Sequence, residues 1–104
     1  MGNERRTHKR FDVQPLICRT HPRLHGISVL RNVSLKGAFL LNGEPPPVGS
    51  RCELEFAEPP LTGYRLRGRV VRHGSLKLSR GYAVDFPSPH PRLLRAVYHK
   101  SFAY

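Results

Sequence analysis

Ten prolines and nine glycines spread over 104 residues leave little room for long helices. Proline lacks a backbone donor and fixes φ, and glycine loses the most entropy in a regular element, so their density cuts the chain into short strands and turns. Between these breaks apolar residues recur at every second position. Cys52, Leu54 and Phe56 alternate with Arg51, Glu53 and Glu55; Tyr64, Leu66, Gly68 and Val70 alternate with Arg65, Arg67 and Arg69; Tyr82, Val84 and Phe86 alternate with Gly81, Ala83 and Asp85. A period of two marks a strand with one buried face. Upstream, Pro15-Leu16-Ile17-Cys18 reads as a short first strand, Ile27 to Val33 as a second and Gly37 to Leu41 as a third. The tight Ser34-Leu35-Lys36-Gly37 link joins the latter two as a hairpin. The expected fold is all-β, a six-stranded antiparallel barrel.

Three consecutive prolines make Glu44 to Gly49 a loop, because none can donate to a ladder. The period changes after Phe86. Leu93, Leu94, Val97, Tyr98 and Phe102 recur at helical spacing, with Ser88 as N-cap and Pro89 and Pro91 confined to the first turn, so residues 89–102 are expected to form an amphipathic C-terminal helix closing one end of the barrel. Residues 1–12 are polar and cationic, with Phe11 their one apolar anchor, and read as a flexible arm ahead of a single domain over 13–104.

A formal charge of +11 points to an anionic partner without choosing among nucleotide, nucleic acid and acidic protein. Cys18 and Cys52 are too few and too dispersed for a disulfide framework, which suits a reducing cytoplasm. Cys18-x-x-His21 with His25 and Cys52 lacks a second paired ligand set for zinc, so both cysteines read as small buried hydrophobes. The charged start has no apolar stretch behind it and no run is long enough to span a bilayer, so neither a secretory signal nor direct membrane insertion is expected. Histidines and hydroxyls form no nucleophile–base–orienter set and no glycine-rich phosphate loop is present; no enzyme and no cofactor are expected. Arg65, Arg67, Arg69 and Arg72 read as a solvated face, with a docking surface for an acidic partner or nucleic acid as the rival.

Two short motifs carry the functional reading. Arg6-Thr7-His8-Lys9-Arg10 is an RxxxR, and Asn32-Val33-Ser34-Leu35-Lys36-Gly37 is an NxSxxG. Either alone is weak. In this order, with a hairpin's length of chain between them, they resemble the two signatures of the PilZ domain, a bacterial receptor for cyclic di-GMP. Pro47 to Phe56 and Gly81 to Phe86 resemble strands of the same family, though with generic β patterns. The resemblance implies a barrel with a motif-bearing arm and a C-terminal helix, and a ligand site of Arg5, Arg6, Arg10, Asn32, Ser34 and Gly37.

That implied site suits the ligand. A guanidinium offers a planar fork to guanine O6 and N7 or to a phosphate, and a flat face for stacking. By the resemblance Arg6 and Arg10 are the main clamps. Asn32 would accept from guanine N–H groups with one oxygen where an aspartate has two. Ser34 would add a hydroxyl, and Gly37 a turn conformation or close approach that a Cβ would block. Arg5 makes the first motif an RRxxxR, similar to family members that bind an intercalated dimer, which implies two ligands per chain. Ligand is expected to order the arm and pass the signal to a downstream effector protein. The alternative is a small basic barrel that binds nucleic acid through its arginines, which normally needs exposed aromatics for stacking. A scaffold that docks a partner without nucleotide is a third reading, disfavoured by the intact signatures.

Overall fold

A computed structural model of the chain describes residues 11–21, 26–59, 61–93 and 95, and of residues 11–14 the backbone alone. Six strands, β1 (Phe11–His21), β2 (Ile27–Val33), β3 (Gly37–Leu41), β4 (Arg51–Phe56), β5 (Arg65–Leu76) and β6 (Ser79–Asp85), close into a barrel in the order β1-β2-β3-β6-β5-β4. Every pairing is antiparallel. Closure leaves no sheet edge unpaired.

The period-two pattern places the core as expected. Cys52, Leu54 and Phe56 of β4, Leu66 and Val70 of β5, and Tyr82 and Val84 of β6 face inward with Leu16, Cys18, Leu30, Val33 and Leu40. The Tyr82 side chain is fully buried and its hydroxyl is satisfied by Ser28 Oγ at 2.7 Å. Ser28 in turn meets Thr20 Oγ1 at 2.6 Å and accepts from Asn42 Nδ2 at 3.0 Å. Burial pushes the Tyr82 phenol up to about 12. Cys18 and Cys52 are buried in the same core, which raises their thiols to about 12 and about 11. Protonated and shielded, they pack as hydrophobes.

Two strands outrun their sequence signature, both because of bulges. β1 begins at Phe11, where strand pairing starts two residues ahead of the expected boundary, and its register with β2 shifts between Asp12 and Leu16. Pro15, which has no N–H to donate, lies in that interruption. β5 continues to Leu76, but a register shift between Val70 and Arg72 breaks the alternation, so Val71 and Arg72 are both exposed. A further departure lies on the outer wall of β3, β5 and β6. Phe39 faces outward yet is only 5% exposed. A Cβ on Gly81 would come within 2.7 Å of its ring, and the Arg72 guanidinium lies 6.0 Å from its centroid.

Helical backbone starts at Pro91, two residues later than expected. Ser88 and His90 each precede a proline, which disfavours helical backbone, and the His90 N–H is committed to the Leu35 carbonyl at 3.0 Å. Leu93 is fully buried and plugs that end of the core. The remainder of the expected helix, 96–102, lies outside the described residues, as does the arm over 1–10. Among the described residues no helix is long and apolar enough to cross a membrane.

At Gly81 the neighbouring strand presses close on the backbone. A Cβ there would land on the Leu40 carbonyl oxygen as well as the Phe39 ring, whereas one on Gly43 would meet nothing within 4 Å. Gly81→Ala is therefore expected to cost about 1–3 kcal/mol in urea unfolding, as overpacking does, and Gly43→Ala less than about 0.5 kcal/mol, as open surface changes do. Equal costs would contradict this packing.

His90 supplies a pH dependence. Its ring packs edge-on against Phe86 with centroids 5.0 Å apart and lies 3.4 Å from the Tyr64 hydroxyl through Nδ1. Burial holds its pKa below the ordinary value of 6.5. The folded state thus favours the neutral ring, and this contribution is complete above the ordinary value and is lost as pH falls through the lowered one. The wild-type melting temperature is expected to fall more between pH 7.5 and pH 5.5 than that of His90→Gln. Identical falls would contradict the assignment.

Candidate functional site

The second motif forms the tip and flank of the β2–β3 hairpin. Asn32 pairs with Asp12 on one side and Phe39 on the other. Ser34 closes a two-residue turn: its N–H donates to the Gly37 carbonyl at 2.8 Å, and its hydroxyl donates to the same oxygen at 3.4 Å. The turn is held from the other side. The Lys36 carbonyl accepts the Phe86 N–H at 2.8 Å, and Leu35 accepts from His90. Three motif residues are thereby brought to one rigid corner of the barrel.

Gly37 differs from expectation. It is the first residue of β3 and its φ lies outside the left-handed region. What requires glycine is the approach of β6, because a Cβ would stand 3.0 Å from the Val84 carbonyl oxygen. Ser34 Oγ and Asp85 Oδ1 flank the same point, each 3.6 Å from it. Asp85, the register partner of Gly37, is therefore a neighbour of the motif, although in the sequence it is only the outward member of an alternation.

Arg31 is a second residue that the motif reading passes over. The β2–β3 register shifts between Leu30 and Asn32, leaving Arg31 as the extra residue of a bulge. Among the described residues its buried Nε has no hydrogen-bond partner. Bulges re-aim side chains and are frequent beside binding sites. No spacing in the sequence signals this one.

Arg5, Arg6 and Arg10 lie outside the described residues. What is described is the attachment: Phe11 pairs with Val33 and Asp12 with Asn32, so the chain that carries these arginines joins the barrel beside the Asn32–Gly37 turn.

The arginine stripe divides into two halves. Arg65 approaches Glu53 at 3.4 Å and Glu55 at 3.7 Å, and Arg67 approaches Glu53 at 3.4 Å. The His21 ring, 3.3 Å from Glu55, and the Arg65 guanidinium hold the Glu55 carboxyl below its usual range. Arg69 faces Arg51 across β4–β5 and Asp85 across β5–β6, and among the described residues neither Arg51 nor Arg69 makes an ion pair. These two arginines and Asp85 line an open groove of about 800 Å³ that also touches His21, Phe86 and Pro87. Among the described residues no three His, Cys, Asp or Glu side chains are grouped to hold a metal ion.

Solved structures share this architecture. The PilZ domain of YcgR from Escherichia coli, with c-di-GMP, superposes with a TM-score of 0.67 at 17% identity, over 95% of this chain and 90% of that one. The Bacillus subtilis inhibitor of motility (MotI/DgrA) gives 0.67 at 16% identity, over 91% of this chain and 49% of that one. YcgR from Escherichia coli in complex with c-di-GMP gives 0.65 at 17%, over 91% and 43%. The chain thus spans about half the length of MotI and less than half of that YcgR chain. At these identities the likeness shows the fold. No curated protein sequence matches the chain. A family model described as the PilZ domain matches residues 4–100, and no catalytic family is indicated. With both signature motifs and all six strands inside that match, the chain belongs to the PilZ domain family.

Proposed function

We propose that this chain is a cytoplasmic receptor for cyclic di-GMP that passes the signal to a partner protein. The observation that carries the reading is the junction at Phe11 and Asp12: the arginine-bearing arm enters the barrel opposite Val33 and Asn32, beside the second motif. In this reading Arg6 and Arg10 clamp phosphate or guanine edges, Asn32 accepts from guanine N–H groups, and the Ser34 hydroxyl, whose oxygen keeps its lone pairs, contacts guanine or phosphate. Arg5 stacks on an outer base and helps offset the four charges of an intercalated pair, which makes two ligands per chain. The structural neighbour YcgR, solved with c-di-GMP, supports the ligand class.

Signal output follows from differential affinity. Ligand pins the arm against a turn that Phe86 and His90 already hold, and the ordered arm forms a new surface for the downstream effector. The nucleic-acid alternative is less well supported. Glu53 and Glu55 offset Arg65 and Arg67, and Phe39, Phe56, Tyr82 and Phe86 are buried rather than offered for stacking.

Titration calorimetry with cyclic di-GMP, GTP and cyclic GMP tests the proposal. Cyclic di-GMP is expected to bind far more tightly than the other two. Arg6→Ala and Arg10→Ala are each expected to lose about 1–3 kcal/mol, roughly 5- to 150-fold in Kd, as charged hydrogen bonds do. Tight binding retained in both variants would contradict it.

A further inference from the structure

The β5–β6 hairpin outruns the barrel. Strand β4 pairs with β5 only as far as Arg69, and β3 pairs with β6 only from Gly81, so the ladder ends on β5 and β6 alone, through Ser75 opposite Arg80 and Leu76 opposite Ser79. The Arg80 carbonyl, which accepts the Asn42 N–H at 2.9 Å, marks where this ribbon leaves the wall. Every residue from Ser75 to Arg80 is exposed. We infer that the hairpin tip is a peripheral contact for an anionic lipid surface, in which Leu76 and Leu78 enter the headgroup layer and Lys77 and Arg80 meet the lipid phosphates. The inference does not depend on the proposed receptor function.

Turn chemistry gives the first argument. The pairing of Leu76 with Ser79 leaves Lys77 and Leu78 as a two-residue loop. Loops of that length favour glycine, asparagine or aspartate, which tolerate positive φ. Lys77 has a φ of 56°, and among the described residues no other non-glycine residue has a positive φ. Leu78 beside it is fully exposed. The fold itself has no use for either side chain at this place. Local strain that the chain keeps is a pointer to function.

Charge narrows the partner. From Pro59 to Val84 the sequence has no Asp or Glu, and it carries Arg65, Arg67, Arg69, Arg72, Lys77 and Arg80. Glutamates of β4 answer Arg65 and Arg67, but among the described residues no carboxylate pairs with Lys77 or Arg80. Exposed leucines interleaved with unpaired cations are what an interfacial anchor combines, because buried apolar area and attraction to anionic headgroups add.

Shape favours lipid over protein. A stable protein interface draws on about 20–30 residues a side, and the tip from Ser75 to Arg80 is far smaller. It also projects, so a rigid partner would need a matching pocket, whereas a fluid headgroup layer does not. The placement is compatible with ligand binding: Gly37 pairs with Asp85 at one end of β6, and the tip lies past Ser79 at the other, about 20 Å along the strand.

Co-sedimentation of the full chain with vesicles tests the contact. Vesicles of phosphatidylcholine and phosphatidylglycerol at about two to one are expected to retain the wild type, and vesicles of phosphatidylcholine alone to leave it in solution. Leu76→Ser/Leu78→Ser and Lys77→Glu/Arg80→Glu are each expected to weaken retention about tenfold or more. The leucine pair carries no charge, so its loss separates anchoring from general basic attraction. Val48→Ser, which removes an exposed apolar side chain elsewhere, is expected to change nothing. The chain has no tryptophan, so Leu78→Trp places a single reporter at the apex, and its emission is expected to shift to the blue with the mixed vesicles only. Lys77→Gly/Leu78→Ser is expected to lose the vesicles yet melt at or above the wild-type temperature, because glycine adopts positive φ freely. No retention by the mixed vesicles, the result expected if the tip seats in a protein pocket instead, would overturn the inference. So would equal retention by both vesicle types, undiminished retention of the leucine pair, or a lower melting temperature for Lys77→Gly/Leu78→Ser.

Discussion

Two carbonyl groups at the tip of the β2–β3 turn, those of Leu35 and Lys36, take their hydrogen bonds from the His90 and Phe86 amides that follow β6. Much of the site depends on this. The bonds extend the β3–β6 pairing past Asp85, set Gly37 under the Val84 carbonyl, and bring the start of the C-terminal helix over the barrel mouth, where Leu93 fills it. A hairpin tip left to itself would fray; this one is fixed on both sides. A ligand that meets it encounters a preformed surface, so the ordering cost of binding falls on the arm rather than on the turn.

The polar chemistry is arranged in layers around that corner. Inside, Tyr82, Ser28, Thr20 and Asn42 satisfy one another, so the buried hydroxyls are spent on structure and are not available for reaction. Outside, the basic surface is not uniform. Its Arg65–Arg67 half is answered by glutamates, while its Arg51–Arg69 half is not and borders Asp85 and the motif. A net charge of +11 alone suggests a diffuse polyanion binder. The distribution points instead to separate loci, one beside Asp85 and the motif and one at the β5–β6 tip.

Much of this was legible in the residues. Strands β2, β3 and β4 have the bounds their residues suggest, and β4 keeps its alternation throughout, whereas a bulge at Arg31 interrupts β2 and β3 is buried on both faces. The full lengths of β1 and β5 were hidden where Pro15 and the Val71–Arg72 irregularity break the period, and the helix start was hidden because a carbonyl of a distant turn, that of Leu35, takes the His90 amide. Asn32, Ser34 and Gly37 could be grouped because they are close in sequence. The adjacency of Gly37, Asp85, Arg69 and Arg51 could not, because it exists only through the register of four strands. Gly37 shows the limit most clearly: it was expected for a turn conformation or for a close ligand approach, and its backbone is ordinary strand pressed by the Val84 carbonyl of β6.

The central claim is that the arginine arm folds onto the Asn32–Gly37 corner when cyclic di-GMP arrives. Amide hydrogen exchange with and without the nucleotide measures that directly. The account predicts that amides of residues 5–10 become protected together with those around Asn32, with the rest of β1 unchanged. Protection that arises elsewhere on the barrel while the arm exchanges at the same rate would contradict it.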